Sequence, residues 1–149
     1  SNLLGVWFLS ILKPTIISNR MSLYAEFDRT QFPVITITFT GEKENKENFE
    51  LYLSELGKNY ERKEKFFLVF ELTNAPLPNV KYQLKQAAWM KENEPLIKKY
   101  CYGVAYVIPG TIMRNVLKFI FSIQKNPVQF KVFSTFEEGK VWASELVPQ

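Results

Sequence analysis

The sequence contains no histidine, a single cysteine (Cys101) and a single aspartate (Asp28) in 149 residues. The first absence removes imidazole as general base, general acid or metal ligand. One cysteine forbids an internal disulfide and a cysteine-rich zinc site. One aspartate argues against a carboxylate dyad and against magnesium-assisted phosphoryl transfer. The six glycines are too scattered for a P-loop or a dinucleotide fingerprint, which cluster them within about eight residues. No metal, cofactor or catalytic residue is therefore expected. Long apolar runs are also missing: the best, LLGVWFLSIL at residues 3 to 12, falls short of the roughly 20 residues that span a bilayer.

What remains is an ordinary globular composition, 46% hydrophobic and 23% charged, of a length that suits one domain. The net charge of +4 is modest and unevenly spread. Residues 1 to 20 carry Lys13 and Arg20 without an acid, the stretch from Glu42 to Glu64 is acidic, and the chain from Pro95 onward is basic. No dense basic cluster of the kind nucleic-acid binders carry is present, so nucleic acid is not an expected partner. Residues 3 to 12 lack the basic flank and the small-residue cleavage site of a secretory signal. We expect residues 1 to 20 to be an extension, native or introduced by cloning, that packs on the domain or on a neighbouring copy; the competing reading is an interfacial anchor. Residues 21 to 149 form the domain, and the expected compartment is the cytoplasm.

Hydrophobic periodicity divides that domain into alternating elements. Tyr24–Asp28 and the β-branched run Val34–Phe39 predict two strands joined through the turn at Pro33, close enough for an antiparallel hairpin. Phe49, Tyr52, Leu53 and Leu56 fall on one face of a helix over 46–58. Phe66–Phe70 is continuously apolar, as a strand covered on both faces would be. A loop through Pro76 and Pro78 precedes a helix over 79–91 with Val80, Leu84, Ala87 and Ala88 turned inward. Pro95 fits the first turn of a short helix capped by Asn93. A buried strand, Cys101–Ile108, leads through Pro109-Gly110 into a helix over 112–124 with Thr111 as its N-cap. A last strand at 128–133 and a helix opened by the capping box Thr135–Glu138 complete the order β-β-α-β-α-β-α-β-α. Strands alternating with helices after the hairpin run parallel through right-handed crossovers. The predicted fold is α/β, one five-stranded mixed sheet flanked by helices.

This layout, with FFLVFEL at 66–72, AAW at 87–89, YGVAYVI at 102–108 and the ending VFSTFEEGKVWASEL at 132–146, resembles the SpoIIAA-like branch of the STAS-like domains. That family is related in fold to the CRAL-TRIO lipid-binding domains. The ending carries the most specific part, F-x-T-x-E-E-small-x-x-W. The resemblance covers residues 22 to 147 and implies a non-enzymatic regulatory module. In the anti-sigma-factor antagonists of the family, the loop after the third strand holds a phosphorylatable serine. The corresponding Leu72-Thr73-Asn74-Ala75-Pro76 has none, and Thr73 is its only hydroxyl.

Two candidate sites follow. Open α/β sheets bind ligands at the C-terminal ends of their parallel strands, which here present Thr73, Asn74, Gly110 and Thr111; turn and capping chemistry would place the same residues there. The helix over 112–124 carries the second. Its apolar arc exceeds the roughly 100° that an ordinary surface helix buries, with Met113, Leu117 and Phe121 widening it beside Arg114 and Lys118. Something should cover that excess: a protein partner or a second copy of the chain, which would make a homodimer, or a lipid, membrane surface or other hydrophobic molecule. The leading expectation is a protein-interaction module acting through this helix, and the alternative is a carrier or sensor of a hydrophobic small molecule. Cys101, in a buried strand, is expected to act as a small hydrophobe. Trp89 and Trp142 are expected in the core, and Glu71 is without an assigned role.

Overall fold

A computed structural model describes residues 22 to 147; the expectations for residues 1 to 20 lie outside the described residues. The chain builds one five-stranded sheet in the order β1-β2-β3-β4-β5, from β1 (Ala25–Asp28), β2 (Val34–Phe39), β3 (Phe66–Glu71), β4 (Cys101–Val107) and β5 (Phe130–Phe133). β1 pairs antiparallel with β2, and every later pairing is parallel. The mixed α/β sheet read from the periodicity is the sheet observed.

Topology explains where the helices lie. From β2 to β5 the chain steps across the sheet in one direction, so right-handed crossovers put every connecting helix on the same face. These are α1 (Lys46–Lys58), α2 (Val80–Glu92), the short α3 (Glu94–Tyr100) and α4 (Thr111–Ile123). The opposite face is left to α5 (Phe136–Leu146), which closes a second core of Phe67, Val69, Ala105, Val107 and Ala143. Phe66, Phe67 and Val69 are fully buried because β3 is covered on both sides. β4 needs a local correction to alternate properly. Its register slips by one residue against Phe66–Leu68, so Cys101 and Val104 both face α1 and its neighbours, as a β-bulge allows.

Local sequence sets the ends of the helices. Asn45 and Asn48 exchange side-chain to backbone hydrogen bonds of 2.8 Å at the start of α1, a reciprocal cap of two asparagines. Thr135 caps α5 through the Glu138 amide and donates its hydroxyl to the Glu138 carboxylate. Gly41, at φ +96°, turns the chain out of β2 beside the Asn74 carbonyl, in a backbone conformation that other residues rarely adopt.

Three expectations about the helices are corrected. Thr111 is not the N-cap of α4: Gly110 occupies that position, and no side chain caps it. Asn93 precedes α3 but makes no cap bond, because its amide donates back to the Trp89 carbonyl. In α2 the inward face is Gln83, Ala87 and Met90, while Val80, Leu84 and Ala88 turn outward. One hydrogen bond on each of two side-chain amides accompanies this rotation. Gln83 donates to the Pro78 carbonyl at 2.8 Å, and Gln86 accepts the Tyr52 hydroxyl at 2.8 Å. An inward amide that keeps a hydrogen bond costs less than one left wholly unpaired, and Ala87 at the contact lets α2 approach α4 closely.

The bulge gives a direct test. A Cβ on Gly103 would lie 2.9 Å from the Phe67 ring and 3.2 Å from the Gln129 carbonyl oxygen. Gly103→Ala is expected to lower stability by about 1–3 kcal/mol, the usual cost of overpacking, read as a fall in the urea midpoint with an unchanged slope. An unaltered midpoint would show that β4 and β5 separate freely there.

Candidate functional site

A cavity of about 90 Å³ opens between the sheet and helices α1, α2 and α4. It lies toward the C-terminal ends of the parallel strands, where Phe39, Phe70 and Tyr106 come from β2, β3 and β4. Leu72, Ala75, Pro76 and Pro78 from the loop after β3 also line it. The helices supply Phe49 and Tyr52, then Tyr82 and Met90, then Met113, Leu117 and Phe121. Aromatic rings dominate: Tyr24 meets Phe39 edge-on at 5.1 Å, Phe70 stacks on Tyr106 at 5.3 Å, and Tyr106 meets Phe121 at 5.8 Å. Such pairs fix the walls beyond what their buried area alone provides.

The lining contains no charged side chain, no serine or threonine and no cysteine. Its polar atoms are two glutamine amides and the tyrosine hydroxyls. Burial pushes the Tyr24, Tyr52 and Tyr106 phenols above their ordinary value, and the Glu44 carboxylate adds to the shift at Tyr24. These phenols stay protonated at neutral pH and offer hydrogen bonds rather than a base. Among the described residues, the Gln86 amide nitrogen and the Gln83 side-chain oxygen have no hydrogen-bond partner, while the rest of each amide is engaged.

The proposed strand-end residues lie around this cavity without forming a polar site. Thr73 donates both its backbone N–H and its hydroxyl to Glu71. Glu71, unassigned from sequence, thus holds the turn after β3. Asn74 is exposed beside Gly41. Gly110 and Thr111 are exposed at the start of α4 and make no side-chain cap. On α4, Met113, Leu117 and Phe121 turn inward, half-buried, onto the cavity, away from a surface where a partner would meet them. Arg114 is spent internally: its guanidinium donates to the Ile108 carbonyl at 3.2 Å and to the Ser134 hydroxyl at 3.3 Å. Lys118 is exposed. The apolar residues of α4 that face solvent are Ile112, Phe119 and Ile123.

Sequence reasoning missed Glu44. Its side chain is 1% exposed, one oxygen accepts the Asn79 N–H at 2.8 Å, and the other has no partner among the described residues. The contact ties the segment before α1 to the start of α2, where the cavity-lining loop ends. Only its place in a run of glutamates and lysines is visible in the sequence, and that pattern reads as solvated surface. A second, more open cleft of about 400 Å³ lies between β1 and α1. Two of its charged groups pair, Arg29 with Glu55 at 3.1 Å, and Arg29 also donates to the Asn59 side-chain oxygen at 2.8 Å.

Cys101 sits in the core, 5% exposed, and burial pushes its thiol from an ordinary 9.0 up to about 12. The folded state therefore keeps a proton that the unfolded chain releases, so this contribution is fully present below pH 9 and is lost as the pH rises toward 12. The raised phenols act in the same direction. Urea midpoints are expected to hold steady up to about pH 9 and then to fall, and a thiol reagent at neutral pH is expected to modify Cys101 only on unfolding. Rapid modification of the native protein would contradict the packing of β4.

Among the described residues no group of acidic, cysteine or histidine side chains is arranged to hold a metal ion, and no helix is long and apolar enough to cross a membrane. No known protein-family profile matches the chain, and a search of curated proteins returned no match.

Proposed function

We propose that the chain is a non-enzymatic binding module of STAS-like architecture that holds a small hydrophobic molecule in the cavity between its sheet and α1, α2 and α4. The observation that carries this reading is the chemistry of the lining. About twenty side chains surround the space, and among the described residues none of them is Asp, Glu, Lys or Arg, or a Ser, Thr or Cys that could serve as a nucleophile. An apolar cavity with a few convergent polar groups supports a binding role. Dry apolar cavities of about 150 Å³ accept a benzene ring. The 90 Å³ here calls for a ring-sized molecule or a short acyl segment, admitted by slight spreading of the walls. Met90 and Met113, unbranched and adaptable, can yield in that way. The unpaired ends of Gln83 and Gln86 fit one polar group on such a ligand.

The regulatory reading, in which the loop after β3 is a phosphorylation switch, is weaker. Thr73 already gives its hydroxyl to Glu71. A phosphate there would stand against that carboxylate, and like charges disfavour it. The reading in which Met113, Leu117 and Phe121 meet a protein partner also loses ground, because all three face the cavity.

Thermal melting with indole and octanoate tests the proposal, together with native mass spectrometry of the purified protein. At about a hundred times its Kd, a bound probe is expected to add about 2.7 kcal/mol of stability. Leu117→Phe, which fills the space, is expected to keep the fold and abolish that gain. The proposal fails if no probe raises the melting temperature and no molecule is retained.

A further inference from the structure

The outward surface of α2 and α4 carries exposed apolar side chains that do not line the cavity. The two helices meet through Ala87 and Met90 on one side and Val116 and Ile120 on the other. At 100° per residue, Val80 and Leu84 follow Ala87 around α2, and Ile112, Phe119 and Ile123 follow Val116 around α4. The exposed residues of both helices therefore border the same seam and form one two-helix face. Ile112 is 67% exposed, Val80 56% and Leu77, just before α2, 52%. Side chains of this size grouped on one face mark an interaction surface.

The charge of the chain that carries the face is predominantly positive. Between residues 72 and 129 there are eight basic residues and two acids, Glu92 and Glu94, and Glu94 is paired with Lys98 at 2.7 Å. Helix α4 carries no acid at all. Lys81 and Lys91 on α2 and Lys118 on α4 are exposed and make no ion pair among the described residues.

We propose that this face docks the protein on an anionic lipid bilayer, with Val80, Leu84, Ile112, Phe119 and Ile123 entering the headgroup boundary and Lys81, Lys91 and Lys118 meeting the phosphates. An apolar stripe flanked by lysines is the pattern of interfacial binding. Headgroup charge complements the lysines. A two-fold contact with a second copy does not: an isologous interface would set this basic surface against itself, and like charges brought together disfavour it. The proposal is independent of what occupies the cavity.

Co-sedimentation of the full chain with vesicles of phosphatidylcholine, with and without phosphatidylserine, tests it. Binding is expected only where the anionic lipid is present, and it should weaken as salt is raised. Neutralising Lys81 or Lys118 to Gln is expected to weaken binding about fivefold each, the effect of one basic residue near a charged surface. Ile112→Glu places a charge on a position that is 67% exposed and should leave the melting temperature unchanged, Phe119→Glu at 39% exposed should lower it modestly while keeping the fold, and each should reduce binding about tenfold or more. Three outcomes would overturn the proposal. One is the absence of anionic-vesicle binding. Another is wild-type binding by Phe119→Glu, which would move the contact elsewhere on the chain. The third is a dimer in light scattering that Ile112→Glu dissociates, which would assign the face to a second copy.

Discussion

A helix laid on a sheet can hide only part of its circumference, and Thr111–Ile123 is apolar around far more than that part. The fold resolves the excess by dividing it. One arc, Met113, Leu117 and Phe121, faces the sheet across a cavity. A second, Val116 and Ile120, is sealed by Ala87 and Met90 of α2. The third, Ile112, Phe119 and Ile123, is left outside. Everything distinctive about the molecule follows from this partition. The cavity exists because the inner arc and the aromatic rings of β2, β3 and β4 do not fill the space between them. The outward face exists because α2 covers only one flank of α4.

The helix Val80–Glu92 is the counterpart of that division. It places glutamines inside and Val80 and Leu84 outside, against the usual sense of an amphipathic helix. Gln83 and Gln86 can be inside because the Pro78 carbonyl and the Tyr52 hydroxyl answer them. In return the cavity gains the only side-chain amides that line it among the described residues, and the surface beside α4 gains its apolar residues. One rotation of one helix thus contributes to both features, and the loop that sets it is held by Glu44 at the Asn79 amide and by Lys43 at the Leu77 carbonyl.

Most of the fold is legible in the sequence because its signals are local. The alternation in Val34–Phe39, the unbroken apolar run at Phe66–Phe70 and the Thr135–Glu138 cap each specify an element without reference to the rest of the chain. The parallel pairing after the hairpin follows from strands alternating with helices, whereas the strand order β1-β2-β3-β4-β5 is given by the structure. The site is less legible. The strand-end residues Thr73, Asn74, Gly110 and Thr111 are near the cavity but serve turns and a helix start, as their residue types also suggest. The cavity itself is assembled from rings on seven separate segments, and no spacing in the sequence announces it. The excess on α4 is visible in the sequence, but which of its residues face inward depends on where α2 packs. The α2 rotation hangs on two long-range hydrogen bonds that hydrophobic periodicity does not encode. The buried Glu44 is hidden for a similar reason, since its partner lies 35 residues away.

The partition of α4 can be measured directly, because the single native thiol is shielded. With Cys101 buried, a cysteine introduced at Ile112, Phe119, Leu117 or Phe121 reports its own surroundings. The account predicts that thiol reagents label the first two at the rate of a solvent-exposed cysteine and the last two far more slowly, in a protein that melts as a single unit. Equal protection at all four positions would mean that the outer arc is covered in the protein on its own, and equal reactivity would mean that the inner arc does not face a cavity.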